Sequence, residues 1–206
     1  VGFQLRSACG RLGEMTPLQR ERTDTASRIL DVAERLAQTR GFNGFSYADI
    51  ALELALTKAS LHYHFPGKSD LGEALVERYT ARFAATLETL ESGLDPLGAL
   101  EAYVDLYAGV LRGDRMCLCG MLAAEYDTLP REMQLAVRGF FDANEEWLAA
   151  VLERGRESGR LGFAGPARDE ARVLLGGLEG AMLVARAFGD SERFVVVANR
   201  LLAGLR

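Results

Sequence analysis

A chain of 206 residues, 49% hydrophobic and 26% charged, has a globular composition and enough length for one large domain or two unequal ones. Five prolines among many Ala, Leu, Arg and Glu favour helices, no apolar run reaches the roughly 20 residues of a membrane span, and Val1 to Glu14 lack the apolar segment of a secretory signal. Cys9, Cys117 and Cys119 are too few for a disulfide framework, so a reducing cytoplasm is expected, and the net charge of −5 divides into +1 over residues 1–70 and −6 beyond, leaving room for a basic face near the N-terminus.

Residues 1–22 show scattered Gly and Arg (Arg6, Arg11, Arg20, Arg22) and no periodicity. They are expected to form a flexible arm, with Met15 the expected start and an upstream remnant before it. An alternative gives the arginines a minor-groove contact. The first helix is predicted from about Thr25 to Arg40, with Asp24 as N-cap, an apolar stripe of Ile29, Val32, Ala33, Leu36 and Ala37, and Gly41 as the stop. Ser46-Tyr47-Ala48-Asp49 is a capping box that opens a short helix carrying Tyr47, Ile50, Ala51 and Leu54 on one face. After the turn Ala55-Leu56-Thr57, another short helix covers about Lys58 to His64 and ends at Phe65-Pro66-Gly67.

Longer helices follow near 68–91, 96–112, 116–127, 130–158, 167–188 and 191–204, separated by short Gly- and Pro-containing breaks. With no strand-like alternation, the predicted fold is all-α: an arm over 1–22, a three-helix head over 23–67 and a helical body over 68–206.

On a helical wheel with Leu61 facing inward, Thr57 and Phe65 fall within about 40° of it, while Ala59 and Tyr63 point outward, flanked by Ser60 and His62. One face anchors and the other is short, polar and aromatic. Such a face can approach a major groove closely, with Lys58 at the N-terminal end where recognition helices meet bases. Lys68 opens the next helix, where its ammonium and the free N–H groups can meet a phosphate.

The run from Thr57 to Lys68, TKASLHYHFPGK, resembles the recognition helix and following turn of the TetR family of repressors, and Gly41-Phe42, Phe45-Ser46 and Ile50-Ala51 are similar to its first two helices. The resemblance covers roughly residues 24–72. It implies DNA-backbone contacts from Thr25, Ser46, Tyr47, Tyr63 and Lys68, and groove contacts from Thr57, Lys58, Ala59, Ser60 and His62. It also implies a homodimer on palindromic half-sites and a small-molecule effector that spreads the two reading heads. Three residues depart from the family pattern: Ala55 and Ala59 where glycine is common, and His62 where tyrosine is common. A left-handed Ala55 costs about 1 kcal/mol.

In the body, Phe83, Tyr103, Tyr107, Cys117, Met121, Tyr126, Phe140 and Trp147 recur at helical spacing and are candidates for an effector cavity, with core packing as the alternative. Cys117 and Cys119 are two apart on a helix and diverge, so they neither chelate a metal nor pair. Small buried apolar side chains are expected, with thiolate sensing aided by Arg115 as the alternative. Gly177, Ala181, Val184, Phe188, Val197 and Leu201 form small and apolar stripes expected at a dimer interface, with intrachain packing as the alternative. The only histidines, His62 and His64, lie in the recognition segment, and no catalytic or phosphate-binding motif occurs. No enzyme, cofactor or metal is expected. The remaining alternatives are a ligand-binding or adaptor bundle and an activator instead of a repressor.

Overall fold

Helix α1 spans Pro17–Arg40, so it starts well ahead of the expected Thr25 and Asp24 lies inside it. The structure, a computed structural model, describes residues 17–206, with side chains from Arg22 onward. The expected arm, with Arg6, Cys9, Arg11 and Met15, falls outside the described residues. The early start has a local cause: Pro17 is preorganised for the first helical position, and Leu18 to Asp24 contain no glycine or second proline. The apolar stripe begins only at Ile29 because Arg22, Thr23 and Asp24 stay exposed.

Helix α1 ends at Gly41, whose φ of +82° suits glycine. Two short helices follow, α2 (Tyr47–Leu54) and α3 (Lys58–His64). At the start of α2, the N–H and Oγ of Ser46 both donate to Asp49, at 2.8 and 2.6 Å, which holds that carboxyl below its ordinary range. The turn after it uses Ala55 in the left-handed conformation, φ +53° and ψ +40°, and Leu56 N–H closes onto Ala51 C=O. Thr57 Oγ1 caps α3 by accepting from Ser60 N–H at 3.1 Å. Ile29, Ala33, Leu36, Ile50 and Leu61, all essentially without exposed surface, hold the three helices together.

The body comprises α4 (Lys68–Gly93), α5 (Pro96–Arg112), α6 (Leu118–Ala124), α7 (Arg131–Glu157), α8 (Ala167–Phe188) and α9 (Glu192–Ala203). Helices α4 and α5 pack on α7, and α8 lies between α7 and α9. Helix α6 is shorter than the predicted 116–127, for two reasons. Met116 N–H is drawn to Gln38 C=O of α1 at 3.2 Å, and the chain tightens into a 3₁₀ turn at Tyr126–Thr128. Among the described residues there is no strand, and no helix is long and apolar enough to cross a membrane.

Candidate functional site

Helix α3 presents the surface expected of it. Leu61 is fully buried, whereas Tyr63 is 63% exposed and Lys58, Ala59 and His62 are open to solvent. Lys58 makes no ion pair among the described residues, and Ser60 is half-buried beside it. His62 Nδ1 lies 3.0 Å from Pro66 C=O, and its ring packs on Tyr47 at 4.8 Å. A carbonyl only accepts, so Nδ1 carries the hydrogen and Nε2 is an acceptor in the neutral ring. Arg22 of α1 stacks over Tyr63 at 5.0 Å, a cation that sequence reasoning left in the arm. A surface hollow of about 360 Å³ joins Ser46, Tyr47, Lys58, His62 and Lys68. Thr25 is half-buried on α1.

Two of the residues expected to contact the DNA backbone are held by backbone carbonyls of the head. The Tyr47 hydroxyl lies 2.8 Å from Phe65 C=O and 2.7 Å from Gly67 C=O, and burial pushes its pKa up to about 12. It ties α2 to the turn after α3 rather than reaching outward. Lys68 donates to Phe42 C=O and Phe45 C=O and sits over both rings at 4.7 and 4.4 Å, its pKa lowered by desolvation. An ammonium has three N–H groups, so one remains for a phosphate. Asp70 takes the Gly67 N–H at the same helix end.

The body holds a second constellation. Phe83, Tyr103, Tyr107, Phe140 and Trp147 form one ring cluster with centroids 5.3–6.4 Å apart, joined by Tyr79 from α4. Tyr103 OH donates to Asn144 Oδ1 at 3.0 Å and lies 3.2 Å from Tyr107 OH. Tyr79 OH donates to Cys117 Sγ at 3.9 Å. Glu179 of α8 enters this interior beside Tyr107 and Cys117. Its Oε1 is shut off from solvent without a hydrogen-bond partner, and burial raises its pKa to about 7. Cys117 and Cys119 are buried and their thiols are pushed well up by desolvation, the opposite of what thiolate sensing requires. Met121 is only half-buried, and Tyr126 lies apart, under the Arg138 guanidinium at 5.2 Å.

The profile of bacterial regulatory proteins of the tetR family matches residues 29–75, from mid-α1 into α4. A TetR-family transcriptional regulator from Agrobacterium tumefaciens is 39% identical, with 89% of this chain and 98% of that chain covered, at a TM-score of 0.87. This chain belongs to the TetR family. A TetR-family regulator from Legionella pneumophila is 30% identical over 95% of this chain and all of that one, with a TM-score of 0.79. The transcriptional regulator AcuR of Cereibacter sphaeroides is 28% identical, with 71% of this chain and 69% of that protein covered. The protein is therefore a DNA-binding transcriptional regulator of the ligand-responsive TetR type, with the head and helical body expected from its sequence.

In this TetR-family regulator, polar links join head and body at the C-terminal end of α1. Glu125, just past α6, accepts from Phe42 N–H at 2.6 Å and Asn43 N–H at 3.3 Å. Arg186 of α8 donates to Thr39 C=O at 2.6 Å. A Cβ on Gly41 would fall 2.7 Å from Glu125 Oε1, so close approach and positive φ both require glycine there. Arg78 and Arg82 of α4 hold the buried Glu34 of α1, at 3.1 and 2.6 Å.

The stripes expected at the dimer face divide. Gly177 and Leu201 meet within the chain, since a Cβ on Gly177 would fall 2.8 Å from Leu201 Cδ1, and Ala181 is buried. Val184, Phe188, Val196 and Val197 remain exposed along α8 and α9 beside an open hollow of about 540 Å³. Sequence reasoning also passed over Tyr79, Asn144 and Glu179. A signal existed for Glu179, which shares the inward face of Leu175, Leu178 and Met182 at helical spacing.

Proposed function

We propose that this regulator is a cytoplasmic homodimeric repressor that reads operator half-sites with the outer face of α3 and is released by a small molecule held among α4, α5, α7 and α8. The observation that carries the reading is the polarity of α3: Leu61 fully buried, and a short, polar, cationic face left open on the opposite side. Thr57, Lys58, Ser60 and His62 then face base edges, while Tyr63, Ser46, Arg22 and the remaining N–H of Lys68 serve phosphates. Two copies pair through the exposed apolar stripe of α8 and α9, continued by Gly176 and Gly180.

The polar links supply a route for release. Cys117 borders the aromatic interior, and its neighbour Met116 is bonded to Gln38 of α1. An effector that displaces α6 moves Met116 and Glu125 together, and both grip the end of α1. Helix α4, which begins in the head and runs to the aromatic cluster through Phe83, supplies a second lever.

A gel-shift with DNA from the region beside the regulator's own gene tests the reading. Binding that weakens with salt and is lost in the Ser60→Ala, His62→Ala double variant is expected. Unchanged binding in that variant overturns the assignment to α3.

A further inference from the structure

If the interior ring cluster is the effector site, as proposed above, one group in it remains unexplained: a carboxylate without a countercharge. Glu179 forms no salt bridge among the described residues, and Oε1 is buried with no hydrogen-bond partner. Its neighbours give little relief. Tyr107 has one hydroxyl hydrogen to share between Tyr103 and the carboxylate, and Cys117 offers a weak thiol donor. On the other side Glu179 lies against the backbone of α6, where a Cβ on Gly120 would fall 2.3 Å from Oε2. Gly120 thus keeps open the space the carboxylate occupies.

The aromatic cluster packs beside this acid, with Tyr79, Tyr103 and Tyr107 close enough to feel its charge and Phe83 and Trp147 extending the same cluster. Tyr79, Phe83, Tyr103 and Tyr107 come from α4 and α5, and Trp147 stacks on Tyr103 at 5.4 Å. The indole Nε1 of Trp147 is a second buried polar atom without a partner. A hollow of about 210 Å³ between α1, α4 and α5 reaches Tyr79 and Phe83 from outside, with Arg82 at its rim neutralised by Glu34 and Arg115 turned to Gln38. Ring faces carry negative potential and attract cations, most strongly where water is excluded. A largely buried carboxylate with no countercharge has the same preference, because a charge there is stable only when matched.

We infer that the effector is an organic cation, an ammonium or amidinium group on an apolar body, with Glu179 as its counter-ion and the ring cluster as its cage. Binding then draws the acid into its ionised form, so affinity rises with pH across neutrality. The other titratable groups facing Glu179 are Tyr79 from α4, Tyr103 and Tyr107 from α5, and Cys117 and Cys119 at α6. All five have pKa values pushed up by burial and stay neutral in that range, which leaves Glu179 as the group that titrates.

Trp147 is the chain's only tryptophan, so its fluorescence reports occupation of the cage directly. The test titrates the full chain with benzyltrimethylammonium and, separately, with its neutral carbon isostere neopentylbenzene, at pH 6 and pH 8. Expected are saturable quenching by the cation, stronger binding at the higher pH, and a loss of at least about tenfold in Glu179→Gln, equivalent to one step of about 1.4 kcal/mol. The isostere should bind more weakly and be insensitive to both changes. Binding of the isostere without the cation overturns the charge assignment and leaves the interior effector site standing. Cation binding that is equal in wild type and Glu179→Gln, or flat with pH, also overturns it. Binding of neither probe overturns both readings.

Discussion

Glu179 gives the fold a stability signature that does not depend on any ligand. Its pKa rises from about 4.5 to about 7 because burial penalises the ionised form. The folded chain therefore keeps a proton that the unfolded chain gives up between those values. Stability from this group is intact below about pH 4.5, falls through the interval, and stays reduced above about pH 7. The displacement corresponds to about 3 kcal/mol. Glutamine has nearly the same shape and cannot ionise. Glu179→Gln should match wild type near pH 4.5 and exceed it by about 3 kcal/mol at pH 8, a rise of roughly 6–12 °C in Tm for a chain of this length. Paired thermal melts monitored by circular dichroism at several pH values measure this, and the remaining carboxylates cancel in the difference. A Tm difference that does not change with pH would refute the claim that this carboxylate is buried without a countercharge.

Ala55→Gly should stabilise the protein by up to about 1 kcal/mol, because it removes a left-handed alanine at the cost of some unfolded-state entropy. Denaturant midpoints check this, and a destabilised variant would contradict the turn geometry. Lys58→Ala should weaken DNA binding and flatten the slope of log K against log salt by about one, with no change in Tm. Lys68→Ala should lower stability by about 1.5–3 kcal/mol, since it strips the charged donor from the Phe42 and Phe45 carbonyls. Both variants should flatten the salt slope, and melts separate the two lysines because only Lys68→Ala should lower Tm. An alkylating agent applied to the folded protein should leave Cys117 and Cys119 largely unmodified and DNA affinity unchanged. Rapid modification with loss of binding would favour thiol sensing.

The head was legible because its information is local. A capping box, a seven-residue helix with one apolar anchor, and a proline stop are written in consecutive residues, and all three occur as read. The early start of α1 was missed because Asp24 looks like a cap in isolation, whereas the uninterrupted helix formers before it decide the outcome. The carbonyl partners of Tyr47 and Lys68 were not legible, because they come from loops that only folding brings near. In the body, helical spacing found Tyr103, Tyr107, Phe140 and Trp147, but it also admitted Tyr126, which the 3₁₀ turn carries away from the cluster. Glu179 was passed over although it shares the inward face of α8 with Leu175, Leu178 and Met182, because a lone glutamate in an apolar stripe reads as a solvated charge until the packing of α5, α6 and α8 around it is known.

Hydroxyl-radical footprinting of the DNA beside the regulator's gene tests the central claim most directly, because it sees both the reading helix and its partner. Two symmetric protected patches centred about 34 Å apart, or a multiple of that helical turn, are expected. Both should disappear in the Ser60→Ala, His62→Ala double variant. A single asymmetric patch, or protection that survives loss of the outer face of α3, would contradict the account.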